Sequence, residues 1–74
     1  MIYIKETFPD EDSVSIHVDG ILDVETIPAL QEVCNRYLNE ERKIMLYVEG
    51  IIHISREGKE FLHQIQNKIL LQGL

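Results

Sequence analysis

Lys43-Ile44-Met45-Leu46-Tyr47-Val48-Glu49-Gly50 carries five apolar side chains in a row, closed by a carboxylate and a glycine. The run is too short for a free-standing helix and rich in β-formers. A nearly continuous apolar run of this length predicts an interior strand over 44–49 with cover on both faces. A chain of 74 residues has room for one domain only, 1–74, so every other segment has to be built against this strand.

Two further strands are expected upstream. Ile2, Ile4, Glu6 and Phe8 alternate with Tyr3, Lys5 and Thr7, and Pro9-Asp10-Glu11-Asp12 then interrupts with turn-type residues. Val14, Ile16 and Val18 alternate cleanly with Ser13, Ser15, His17 and Asp19, and Gly20 is read as the end of that strand. The two predict an N-terminal hairpin. Asp23, Glu25, Thr26 and Pro28 then mark a helix start. Ile27, Leu30, Val33, Cys34, Tyr37 and Leu38 recur at three- and four-residue steps, one apolar stripe of an amphipathic helix. A helix between two strands predicts a right-handed parallel crossover. After the buried strand, Ser55 can cap a second helix whose inner face is Phe61, Leu62, Ile65, Ile69 and Leu70. Periodicity leaves helix and strand both open for 68–74. The expected fold class is α/β: a small mixed sheet with two main helices in the order β-β-α-β-α.

Composition narrows the function. Thirteen acidic residues against seven basic ones leave a net charge of −6, which argues against a nucleic-acid binder, since phosphate contacts need clustered Lys or Arg. A single cysteine, Cys34, forbids an internal disulfide and a paired-thiolate zinc site. No apolar run nears the roughly 18 residues of a spanning helix, and the first residues do not read as a signal peptide. The expectation is a cytoplasmic protein without membrane insertion and without cofactor.

The punctuation of the chain resembles a known family. Gly20-Ile21-Leu22-Asp23-Val24-Glu25-Thr26 followed by a helix resembles the G-x-L-D-x-x-T segment of the STAS domain. The strand from Ile44 to Glu49 followed by Gly50-Ile51-Ile52-His53-Ile54-Ser55-Arg56-Glu57-Gly58 is similar to that family's central strand and D-S-S-G loop. The resemblance covers roughly residues 14–65. It implies a SpoIIAA-like fold and the role of a bacterial anti-sigma factor antagonist, or of a regulatory module of an anion transporter or lipid-transport complex. Laying Gly58 on the family glycine sets Arg56 at the phosphoacceptor serine, Ser55 at the aspartate and Glu57 at the second serine. The usual switch is thereby replaced by a cation. The family also continues with a further strand and helix, which this sequence mostly lacks.

The implied function is a binding module that regulates a protein partner by docking, with an anti-sigma factor of the kinase type as the family's example, and no enzyme activity. The expected partner-binding surface runs from Gly50 to Gly58 and over the exposed face of the second helix, with His53, Ser55, Arg56, Glu57, Gly58, Lys59 and His63 as its residues. Ser55 has two readings, a phosphorylation site or the N-cap of the second helix, and the N-cap preference of serine favours the cap. The rival enzymatic readings would use Cys34, or His53 with Ser55, but no convergent constellation accompanies them. His17, His53 and His63 show no metal-ligand spacing, and the single Glu60-x-x-His63 pair lacks the second copy a di-iron bundle needs. Ile69, Leu70, Leu71 and Leu74 either leave apolar surface for a homodimer, or Ile69 and Leu70 complete the core. A structural homo-oligomer subunit is the remaining alternative.

Overall fold

The structure is a computed structural model and describes residues 1–73. Four strands form one sheet in the order β1-β2-β3-β4. They are β1 (Ile2–Thr7), β2 (Ser13–Leu22), β3 (Lys43–Ile54) and β4 (Leu70–Gln72), with α1 (Ile27–Asn39) after β2 and α2 (Arg56–Ile65) after β3. β1 and β2 are the expected antiparallel hairpin, Ile4 opposite Val18 and Lys5 opposite His17. β3 runs parallel to β2, as the helical crossover requires. β4 lies parallel to β3 on its far side and settles 70–72 as strand.

Alternation on β2 and β3 builds the core. Val14, Ile16, Val18 and Leu22 of β2 and Ile44, Leu46 and Val48 of β3 point to one face, each buried. Leu30, Cys34 and Tyr37 of α1 and Leu62 and Ile65 of α2 close over them, with Ile69. Each fully buried aliphatic side chain contributes about 1.5–3 kcal/mol, which is how so short a chain offsets its ordering entropy.

Four expectations need correction. Met45 and Tyr47 are half-buried, so β3 does not have full cover on both faces. Neighbouring strands shield them in place of a helix: His17 stacks on Tyr47 with ring centroids 4.5 Å apart, and Leu70 lies opposite Met45. Gly20 does not end β2. It takes φ +105° beside the Met1 carbonyl, a place closed to any residue with a Cβ, and the strand continues through a register shift to Leu22. β3 likewise continues to Ile54, because the lengthened β2 offers it partners as far as Leu22. In the tail, Ile69 is buried and Leu71 packs against the core, whereas Leu70, expected as a core residue in one reading, is exposed. Pairing of Leu71 with Leu46 fixes that alternation. The expectations made for Leu74 lie outside the described residues.

Candidate functional site at the head of α2

The parallel strands β2 and β3 end at the same edge of the sheet, and the first turns of both helices start there. The G-x-L-D-x-x-T segment is a local hydrogen-bond device. The Asp23 carboxylate accepts from the Glu25 and Thr26 amides at 3.0 and 3.1 Å. The Thr26 hydroxyl accepts from the Asp23 amide at 2.9 Å and donates to the Ile21 carbonyl at 2.9 Å. Two short side chains thus satisfy the amides of Asp23, Glu25 and Thr26 in the turn where the chain leaves β2 and enters α1. Pro28 sits in the first turn, where it forfeits no helical bond.

The second junction is tied to the first. The Ser55 amide donates to the Leu22 carbonyl at 3.0 Å, fastening the start of α2 to the end of β2. The Ser55 hydroxyl accepts from the Gly58 amide at 3.1 Å, so Ser55 is the N-cap. Gly58 is buried. A Cβ placed there would lie 2.6 Å from the Leu22 carbonyl oxygen and 2.9 Å from Ile54 Cγ1. The close approach that Gly58 permits is therefore from within the chain, which fixes the helix head against the sheet.

On this anchored base the remaining expected residues fall into two groups. His53, Arg56 and Glu57 are exposed together around the half-buried Ser55. His53 belongs to β3, opposite Ile21, and not to a loop as the sequence suggested. Lys59 and His63 stand one helical turn apart on the flank of α2, beside a groove lined by Ile54, Leu62 and Leu71. His63 Nδ1 lies 3.2 Å from Gln66 Nε2. A helix N-terminus disfavours a cation, and Glu57 in the same turn offsets Arg56. Among the described residues the ion pairs are Arg36–Glu6 and Arg42–Glu40, so Arg56 and Lys59 are unpaired there.

The expected surface spans Ile52 without singling it out, and it leaves out Val24. Ile52 is 83% exposed and Val24 66% exposed, both at the same end of the sheet as the α2 head. Ile52 falls at the register shift between the Gly20–Ile51 and Ile21–His53 pairs, so it has no partner on β2, and the sequence carries no period that marks this.

The rival sites are weak on geometry. Cys34 is fully buried, and burial pushes its thiol up to about 11, away from the thiolate a nucleophile needs. Among the described residues no three His, Cys, Asp or Glu side chains gather where they could hold a metal ion. No helix there is long and apolar enough to cross a membrane.

No family model and no curated protein matches the chain. Solved structures do. An anti-sigma factor antagonist from Mycobacterium paratuberculosis superimposes with a TM-score of 0.78 at 16% identity, over 93% of this chain and 59% of the antagonist. An uncharacterised protein with a SpoIIAA-like fold from Shewanella loihica gives 0.63 at 15% identity, over 99% of this chain and 69% of that one. The chain thus spans less than two thirds of the antagonist's length. Strand order, crossover and both helices agree with what the two motifs implied, and the fold is STAS-like, that of an anti-sigma factor antagonist.

Proposed function

We propose that the chain is a protein-docking module of the anti-sigma factor antagonist type, and that it regulates a partner by binding at the head of α2. The observation that carries this reading is Ile52: a large aliphatic side chain left 83% exposed on the segment that leads into Arg56, a cation without an ion-pair partner among the described residues, on a helix start that Ser55 and Gly58 anchor. An apolar anchor with a charged rim on a preformed base is what a docking surface needs. Its members are His53, Ser55, Arg56 and Glu57 with Ile52, extended down the helix by Lys59 and His63. Gly58 supports the surface from beneath.

Docking here proceeds without phosphate transfer at the usual family position. Arg56 supplies a permanent positive charge where the family carries a phosphoacceptor, so a partner meets a fixed cation and not a switch. The Ser55 hydroxyl is engaged as the cap, and its modification would cost the helix that bond. The test is amide hydrogen exchange on the chain alone and with its captured partner. Protection gained over residues 51–59 is the expected result. Protection elsewhere, with that segment unchanged, refutes the assignment.

A further inference from the structure

β1 forms an outer edge of the sheet along its whole length. β1 pairs with β2 on one side only, and the six residues Ile2–Thr7 include no proline and no bulge to blunt the other side. The Ile21 amide donates to the Met1 carbonyl, so Met1 and Ile21 are a hydrogen-bonded pair of the antiparallel ladder. Alternation then makes Tyr3, Lys5 and Thr7 bond inward to β2, and it turns the N–H and C=O groups of Ile2, Ile4 and Glu6 outward. Among the described residues these six groups have no partner. The side chains around them are also incompletely covered: Ile2 and Ile4 are half-buried, and Tyr3 is 64% exposed.

The outward groups are self-complementary. Set antiparallel to a second β1 with Ile4 opposite Ile4, the strand matches Ile2 to Glu6 and Glu6 to Ile2, and all six outward groups on each copy find a partner. The same register sets Tyr3 opposite Lys5 twice, where a cation over an aromatic ring is favourable. A shift by one pair toward the C-terminus would set Lys5 against Lys5. A shift the other way leaves two outward groups on each copy unpaired. β1 itself carries Lys5 and Glu6 and adds no net charge to the seam.

We infer that the chain forms a two-fold symmetric dimer by pairing β1 with β1 of a second copy, in the register that sets Ile4 opposite Ile4. The two sheets become one of eight strands, and the α2 heads are left free. Six backbone hydrogen bonds and a few side chains make a small contact, so the dimer exchanges with monomer on dilution.

Sedimentation velocity on the full chain over roughly a hundredfold dilution tests this, since a weak dimer crosses its dissociation constant in that span. The expected result is dimer at the concentrated end passing to monomer. Tyr3→Lys, at an exposed site, places like charges opposite twice and raises the dissociation constant at least about tenfold. Adding Lys5→Glu to it sets opposite charges and restores the dimer. Ile4→Pro removes an outward N–H while sparing the bonds to β2, and it yields monomer. Leu70→Asp on the opposite edge changes nothing. A chain that stays monomeric throughout overturns the inference, as does a dimer indifferent to Tyr3→Lys or one that Leu70→Asp dissolves.

Discussion

Replacing Gly58 by alanine sets two effects against each other. Alanine in a helix is favoured over glycine by about 1 kcal/mol, so propensity alone forecasts a more stable protein. The contacts forecast the reverse. The new Cβ would stand 2.6 Å from the Leu22 carbonyl oxygen and 2.9 Å from Ile54 Cγ1, and the first of these is backbone that cannot swing aside. That carbonyl also accepts the Ser55 amide at 3.0 Å, so relief of the clash strains the bond joining α2 to β2. Overpacking costs about 1–3 kcal/mol; a clash with fixed backbone belongs at the upper end, about 2–3 kcal/mol, and with the propensity gain deducted the net loss is about 1–2 kcal/mol. In a domain of this size each kcal/mol moves Tm by about 4–8 °C, so the variant should melt roughly 5–15 °C lower. Thermal unfolding followed by circular dichroism measures it. An alanine variant melting at or above the parent would refute the reasoning, because the head of α2 would then not be seated against Leu22.

Three further outcomes are expected. Thr26→Val keeps shape but leaves the Asp23 amide and the Ile21 carbonyl without their partner; a loss of about 1–2 kcal/mol in urea unfolding is expected, and an unchanged midpoint contradicts the proposed role of the motif. The hydrogen bond from Tyr37 to the Glu6 carboxylate, with burial, raises the phenol's pKa above its ordinary value. The protonated phenol's contribution is therefore complete below about pH 10 and lost as pH rises through the raised value; Tyr37→Phe should remove this alkaline sensitivity, and parallel pH profiles for the two proteins would dismiss it. Cys34 in the folded protein should react slowly with thiol reagents at neutral pH and quickly in urea; rapid labelling of the folded chain would reopen an enzymatic reading.

Much of the fold can be read from the sequence because local and global signals agree. Val14, Ile16 and Val18 alternate toward the face that becomes the core, and Leu30, Cys34 and Tyr37 keep helical spacing toward the same face. Ser55 caps where its position suggests. The misreadings have physical causes. β4 has three residues, too few for any period, and only its pairing with β3 defines it. Gly20 reads as a stop, but its positive φ falls within β2, which runs on past it, and the extra length of β2 carries His53 into β3. The apolar run Ile44–Val48 signals a central position in the sheet, and lateral neighbours such as His17 do what a second layer of helices was expected to do. At the candidate site the segment 50–58 and its charged residues were legible and the exposure of Ile52 was not, since exposure of an isoleucine is decided by tertiary packing.

The central claim is that a protein partner docks on the head of α2 through Ile52 and Arg56. The direct measurement is capture from the source lysate with the tagged parent chain, Ile52→Asp, Arg56→Glu and Leu70→Asp side by side, with every eluted protein identified. Both substitutions at the α2 head fall on exposed side chains, and Glu at a helix start is more favourable than Arg, so the fold should be kept. One protein retained by the parent and by Leu70→Asp, and lost by Ile52→Asp and Arg56→Glu, is the result the docking assignment requires. A partner held equally by all four, or no protein held by any, would contradict it.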